Sequence, residues 1–252
     1  MYGWRGRIGL LVPATNTVAE MEFHKLTPQG VSVHTARIPW SPEHINTAEE
    51  KVRAIAEANR VCVEAAKSLA DITPNVVVYA CTTGSFFGGR SYEKNLVSNL
   101  AQVVKCPVIT ATHALVTAVK ALKAKTVTLV TPYLPEITAL EKEFLENEGI
   151  KVIKAYNFVT LASNIQKGGI HECEVYKAAK GATCGEDVLI LSCTNMATLH
   201  IIDLLEKDLG HPVISSNQAA FWLAMQKIKI SPHLIKGYGY LFERLAEDYV
   251  TN

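Results

Sequence analysis

No stretch of the 252-residue chain approaches the roughly 20 consecutive apolar residues of a membrane span. Nor does either sign of charge dominate: 25 Lys and Arg face 24 Asp and Glu, a formal net charge of +1. Without a broad basic footprint, neither nucleic acid nor an anionic membrane surface is an expected partner. The six cysteines include no Cys-x-x-Cys pair, which fits free thiols in a reducing compartment rather than a disulfide framework. His171-Glu172-Cys173 with Cys184 matches no common zinc spacing, so no metal is expected. There is no Gly-x-Ser-x-Gly elbow, no Walker ending and no Gly-x-Gly-x-x-Gly fingerprint. The glycine-rich segment Gly84-Ser85-Phe86-Phe87-Gly88-Gly89-Arg90 reads as a tight turn or a close backbone approach to a small ligand. No cofactor is expected. The opening Met1 to Arg7 lacks the apolar core of a secretion signal, and a soluble cytoplasmic protein is the expectation.

What is present is an alternation of strands and helices that runs twice. Ile8 to Val12, Val31 to Ile38, Val76 to Ala80 and Val108 to Thr110 read as four strands. Between the second and third, Ala48 to Leu69 carries Val52, Ile55, Ala56, Val63 and Ala66 at helical spacing, with charges assigned to the other side. The plan then restarts with strands at Val127 to Val130, Lys151 to Ala155, Val188 to Leu191 and Val213 to Ile214. Leu11-Val12-Pro13 answers Val130-Thr131-Pro132, and Cys106-Pro107-Val108-Ile109-Thr110 answers His211-Pro212-Val213-Ile214-Ser215. The fold class is therefore α/β, with two pseudo-symmetric lobes, each a short parallel sheet flanked by helices. The expected division is an N-terminal lobe over 1–113 and a C-terminal lobe over 114–216. A final segment, about 217–252, is expected to pack back on the first lobe. Ligands of such sheets sit beyond the carboxyl ends of the strands, here between the lobes.

Two of those strand ends carry the chemistry. Val76-Val77-Val78-Tyr79-Ala80 leads into Cys81-Thr82-Thr83, and Val188-Leu189-Ile190-Leu191-Ser192 leads into Cys193-Thr194-Asn195. A lone cysteine there reads equally well as a small buried hydrophobe. A matched pair, each followed by threonine, reads as two thiols facing one cleft. A helix start after each would supply unpaired N–H groups and a positive dipole end, and both lower a thiol pKa. Such thiols can move protons on opposite faces of one carbon, or one can attack carbon while the other moves a proton.

Other strand-end groups are polar. Asn16 follows the first strand and is also a good helix N-cap. Tyr133 follows its counterpart and has packing as its bland reading, and Asn164 lies in a later loop. The cleft reads as hydroxyls, amides and backbone N–H groups with few cations, a setting that can bind carboxylates at helix N-termini.

Val12-Pro13-Ala14-Thr15-Asn16-Thr17, Ala80-Cys81-Thr82-Thr83-Gly84-Ser85, Val130-Thr131-Pro132-Tyr133 and Ser192-Cys193-Thr194-Asn195 together resemble the aspartate/glutamate racemase superfamily. Within it they resemble the maleate cis–trans isomerase and arylmalonate decarboxylase group. Pro212 to Gln218, Phe221-Trp222 and Gly237-Tyr238-Gly239 extend the likeness over nearly the whole chain. The resemblance implies a cofactor-independent enzyme with a small carboxylate held between the cysteines. Cys81 matches the nucleophile of maleate isomerases and Cys193 the proton-handling cysteine. Asn16, Tyr133 and Asn164 match binding positions, and Thr82, Thr83, Thr194 and Asn195 flank the thiols. Amino-acid racemases usually carry histidine where this chain has Asn195, and the decarboxylases carry glycine where it has Cys81. Isomerisation of a small unsaturated dicarboxylate, maleate to fumarate, is the expected activity. A racemase or decarboxylase acting through an enediolate is the enzymic alternative, and a two-lobed carboxylate-binding protein the non-enzymic one. A homo-oligomer, dimer or tetramer, is expected.

Overall fold

The computed structural model describes residues 2–39 and 45–245. Met1 and residues 246–252, the end of the segment expected to pack back on the first lobe, lie outside the described residues. The first half runs β1 (Gly6–Pro13), α1 (Ala19–Leu26), β2 (Val31–Ile38), α2 (Ala48–Ala70) and β3 (Val76–Tyr79). It continues through α3 (Thr82–Phe86), α4 (Gly89–Val104) and β4 (Val108–Thr110). Helix α5 (Ala111–Ala121) then leads directly to β5 (Thr126–Thr131), α6 (Pro135–Asn147), β6 (Lys151–Asn157), α7 (Asn164–Gly168) and α8 (Glu172–Ala182). The second half closes with β7 (Val188–Leu191), α9 (Leu199–Leu209) and β8 (Val213–Ser215), followed by α10 (Ser216–Lys227) and the short α11 (Tyr240–Glu243).

Both sheets are four-stranded and parallel, and their strand orders match: β2-β1-β3-β4 and β6-β5-β7-β8. The registers match as well. Ile8 to Leu11 pair with Val76 to Tyr79, and Val127 to Val130 pair with Val188 to Leu191. In each half the ladder adds one more bond beyond the central strand, from Ala80 N to Leu11 O and from Ser192 N to Val130 O, both 2.9 Å. Cys81 and Cys193 each come next, at equivalent points.

The central strands VVVY and VLIL are buried throughout because helices cover both faces, which is why they read as continuous apolar runs rather than alternating ones. Helix α2 begins on a capping box in which Thr47 Oγ1 accepts from Glu50 N (3.2 Å) while Glu50 Oε2 accepts from Thr47 N (3.1 Å). Helix α10 is buried from Ser216 to Met225 and apolar around most of its circumference. It packs on α5, α1, β3, β4 and β8, so it sits in the seam between the two sheets. Among the described residues, no helix is long and apolar enough to cross a membrane.

Candidate active site

The matched strand ends bring together two thiols, two tyrosines and two lysines. Cys81 is 8 % exposed and Cys193 is 5 % exposed. Each sulfur meets a buried tyrosine hydroxyl. Tyr79, two residues before Cys81 and on the same side of its strand, hydrogen-bonds Cys81, while Tyr133 reaches Cys193 from the end of β5. Tyr133 also meets the Thr82 side chain beside Cys81, so one ring links the two thiol loops. Phe86 packs against that ring with centroids 6.5 Å apart.

Tyr79 is held from behind. Its hydroxyl donates to Asn59 Oδ1, and Asn59 Nδ2 donates to Gly84 O (2.8 Å) and Tyr92 Oη (3.1 Å). The two amide donors leave Oδ1 as the atom that can face the tyrosine. Gly84 has no room for a Cβ, which would collide with Tyr79 Oη and sit 3.0 Å from Cys81 Sγ. Its absent side chain lets the Gly84 N–H bond the Cys81 sulfur.

Both thiols nevertheless sit above the ordinary cysteine value, correcting the expectation of a lowered pKa. Burial is the largest cause at each and outweighs the Gly84 N–H, Tyr79, Lys51 and Lys167 at Cys81. At Cys193 it outweighs Lys167, Tyr133, the Asn195 N–H and Lys51. The helix starts expected after both cysteines are also weaker than the sequence suggests. Helix α3 is only five residues long. Cys193 is followed by a turn, and the first amides of α9, five residues further on, are already taken. Glu22 Oε1 accepts from Thr198 N (2.7 Å) and Leu199 N (3.0 Å), and Glu22 Oε2 accepts from Asn217 Nδ2 (2.6 Å).

The cations are the second correction. Lys51 of α2 is 3 % exposed and Lys167 of α7 is 2 % exposed. They hydrogen-bond one another and act electrostatically on both sulfurs. Lys167 Nζ stands 5.1 Å from the centroid of the Tyr133 ring. Burial first, then the neighbouring Lys167 charge, pushes Lys51 down to about 7, and burial depresses Lys167 too. Sequence reading missed both, although a signal existed. Lys51 lies on the same face as Ile55, Ala58, Cys62 and Ala66, at the helical spacing that should have marked it as inward-facing. Lys167 lies one turn after Asn164 on α7, a short helix where the sequence reading places Asn164 in a loop.

The remaining sequence candidates lie around this centre and hold the lobes to each other. Asn16 Oδ1 accepts from Val18 N (3.0 Å) and Ala19 N (2.9 Å), while its Nδ2 donates to Thr194 Oγ1 (3.2 Å). Thr194 Oγ1 donates in turn to Ala80 O (3.0 Å). Asn195 Oδ1 accepts from Thr17 N (2.9 Å), and its Nδ2 donates to Asn164 O (2.5 Å). Asn164 Nδ2 donates to Thr15 Oγ1 (3.2 Å). Gly168 lets α7 lie against this junction, since a Cβ there would collide with Thr17 Oγ1. Thr82 Oγ1 donates to Ser216 Oγ of α10 (3.3 Å), and Thr83 is buried beside it.

Three other titratable groups, two of them next to the site, are shifted mainly by burial. Burial drives Cys62 to about 12 and Cys106 to about 11. Glu141 accepts a hydrogen bond from Ser192, the residue before Cys193, and burial raises its carboxyl to about 8. It is therefore largely protonated at neutral pH.

This arrangement can add a sulfur to an electrophilic carbon on one side and exchange a proton on the other, with hydroxyl and ammonium donors near developing negative charge. Known proteins share the architecture. The chain is 28 % identical over 249 residues to maleate isomerase of Nocardia farcinica, covering 94 % of this chain and 96 % of that one. It is 29 % identical over 238 residues to maleate isomerase of Alcaligenes faecalis, covering 88 % and 90 %. Among solved structures it superposes with a TM-score of 0.84 and 27 % identity on a cysteine-to-serine mutant of Nocardia farcinica maleate cis-trans isomerase, covering 95 % of this chain and 98 % of the other. That mutant carries a covalently bound succinylcysteine intermediate. The family model described as arylmalonate decarboxylase matches residues 8–242, nearly the full length, and the chain therefore belongs to the arylmalonate decarboxylase family.

Proposed function

We propose that this protein is a cofactor-independent cis–trans isomerase of a small unsaturated dicarboxylate, converting maleate to fumarate. The observation that carries this reading is the pair of buried thiols at equivalent strand ends, each on its own tyrosine hydroxyl. Cys81 stands where the resemblance gives decarboxylases a glycine, which favours sulfur–carbon chemistry over decarboxylation. The succinylcysteine intermediate in a structural neighbour supports the same step.

In the active protonation state Cys81 is a thiolate and Cys193 a thiol. The Cys81 sulfur adds to one alkene carbon, and the π electrons move to the neighbouring carbon and its carboxylate. Cys193 donates its proton to that carbon and becomes a thiolate stabilised by Tyr133 and Lys167. Rotation about the new single bond follows. Cys193 then takes the proton back, the carbon–sulfur bond breaks, and both cysteines return to their starting states. Asn16, Asn164, Thr82, Thr83, Thr194 and Asn195 shape the pocket and keep the lobes at the spacing that this exchange needs. A cytoplasmic location and a homo-oligomeric state belong to the same proposal, the latter read by light scattering.

The test is proton NMR of maleate with the protein in D₂O, alongside intact-protein mass spectrometry of Cys193→Ser. Fumarate should appear with the wild type. The Cys193→Ser variant should be slow and accumulate one added substrate mass on Cys81, and Cys81→Ser should be inactive without an adduct. Exchange of the α-proton of a saturated amino or hydroxy acid, with no adduct in any variant, would establish the racemase alternative instead.

A further inference from the structure

Tyr133 holds the Cys193 sulfur, yet its own backbone has little regular support. It stands between the end of β5 and the start of α6, in Pro132-Tyr133-Leu134-Pro135, where two prolines remove two N–H donors. Its N–H reaches Thr131 Oγ1 only at 3.4 Å. Its carbonyl is taken by a side chain from the neighbouring edge strand: Asn157, the last residue of β6, donates from Nδ2 to Tyr133 O (3.0 Å). The same amide donates to Thr131 Oγ1 (3.1 Å) and to Thr138 Oγ1, and those two hydroxyls are 2.7 Å apart. One side chain therefore ties a strand end, a loop and the start of a helix.

The first lobe holds its matching loop in the same way. Arg37 of β2 pairs with Val12 as Asn157 of β6 pairs with Thr131, and Val12 answers Thr131 in the repeat. Arg37 Nη1 donates to Ala14 O (3.2 Å), at the position equivalent to Tyr133, and to Asn16 O (2.9 Å). Both halves keep an edge-strand donor at one register position and use different side chains for it. Recurrence with changed chemistry marks a requirement of the loop rather than a chance contact.

The geometry points to Asn157 as a positioning residue for catalysis, fixing the Tyr133 backbone so that the phenol stays on the Cys193 sulfur. This rests on the isomerase reading for the step that it serves, the proton exchange at Cys193. Without the amide the ring still packs on Phe86 and Lys167, but its hydroxyl is free to drift, and a hydrogen bond weakens steeply with direction. Lys167, Lys51 and the Asn195 N–H also face that sulfur, and Glu141 of α6 faces the phenol. None of them is altered by changing Asn157.

The experiment follows iodoacetamide labelling of Cys193 against pH by peptide mapping. Wild type, Asn157→Ala, Asn157→Asp, Tyr133→Phe and the double variant Tyr133→Phe/Asn157→Ala are compared, with Cys81 in the same digests as reference. Asn157→Ala should slow labelling of Cys193 about threefold to tenfold below its pKa and move the curve to higher pH, while Cys81 changes less than about twofold. Asn157→Asp is nearly the same size but turns an acceptor towards Tyr133 O, so it should do at least as much. Tyr133→Phe should slow Cys193 further, and adding Asn157→Ala to it should change nothing more. If neither single variant folds, Asn157→Ser, which keeps a shorter donor, should fall between wild type and Tyr133→Phe. An unmoved Cys193 curve, an equal change at Cys81, or an effect that persists without the tyrosine hydroxyl would each overturn the assignment. For maleate, kcat should fall by a similar factor with KM within about twofold of wild type. The expected labelling pattern without any isomerisation of maleate would leave the positioning role standing and remove the isomerase reading. Isomerisation by the wild type with a Cys193 curve indifferent to Asn157 would do the reverse.

Discussion

At the scale of single residues, the site is a competition for protons in a dry setting. The Tyr79 hydroxyl has one proton and two acceptors, Asn59 Oδ1 and the Cys81 sulfur. It can point to Asn59 while Cys81 is a thiol and must turn to the sulfur when the thiolate forms. Tyr79→Phe should therefore raise the Cys81 pKa further, by about one unit, a size typical of a lost hydrogen bond to a charged group. The pH dependence of iodoacetamide labelling at Cys81, followed by peptide mapping, reads that shift; an unmoved curve would mean that the tyrosine only fills space. Glu141 poses the opposite problem. Its native pKa of about 8 lies above the ordinary carboxyl value, so the folded state binds more protons than the unfolded one between roughly pH 4.5 and 8. Stability from this group is fully present below that window and is lost as pH rises through it, at up to about 1.4 kcal/mol per pH unit. Glu141→Gln, which keeps an acceptor for Ser192 without a titrating proton, should flatten this slope. Urea unfolding at pH 5 and pH 8.5 should show the variant gaining on wild type only at the higher pH.

At the scale of elements, the strands were the most legible part of the sequence, and a physical reason separates them from what was missed. A parallel strand covered on both faces must be apolar throughout, so Val76–Tyr79 and Val188–Leu191 announce themselves without any neighbour. The cysteines and Tyr133 were legible for the same reason, since they follow directly from those strands. Buried charge is different. Lys51 occupies a core-facing position of α2, and sequence periodicity assigns lysine to solvent by default. Only the fold shows that another lysine and two thiols face it. The end of α9 was likewise illegible, because its amides are capped by Glu22 from α1, 176 residues away from Thr198. Sequence proximity cannot reveal that such an N-terminus is already occupied. Glu22→Ala should strand three buried donors, Thr198 N, Leu199 N and Asn217 Nδ2, at a cost of about 3 kcal/mol. Denaturant unfolding measures it, and a loss under about 0.5 kcal/mol would show that water replaces the carboxylate with ease.

At the scale of the whole molecule, duplication supplies two equivalent strand ends, and side chains between the halves decide how they meet. Tyr133 joins the Cys193 sulfur to Thr82, Thr194 joins Asn16 to Ala80, and Arg90 Nε pairs with Glu148 at 3.2 Å on a more exposed part of the same seam. Asn195 is the most demanding of these links. The resemblance marks it as a residue beside the thiol, yet in the structure its amide is engaged by protein: Oδ1 by the Thr17 N–H, and Nδ2 by the carbonyls of Asn164 and, at 3.4 Å, Thr15. It ties the loop after β1 to α7, and α7 carries Lys167. A side chain that only contacted substrate would change KM on truncation and leave the melting temperature alone. A clasp would change both, because Asn195→Ala leaves the Thr17 N–H without its acceptor and loosens the helix that sets the position of Lys167. We expect Asn195→Ala to lower the melting temperature by a few degrees, consistent with about 1–2 kcal/mol at this chain length, and to raise KM for maleate along with it. Asn195→Asp keeps the acceptor for Thr17 but turns the other arm against the Asn164 carbonyl, so it should rescue neither. Differential scanning calorimetry and steady-state kinetics on the two variants decide the matter: a higher KM at an unchanged melting temperature would place Asn195 on the substrate, and a joint change places it in the frame that holds the two halves together.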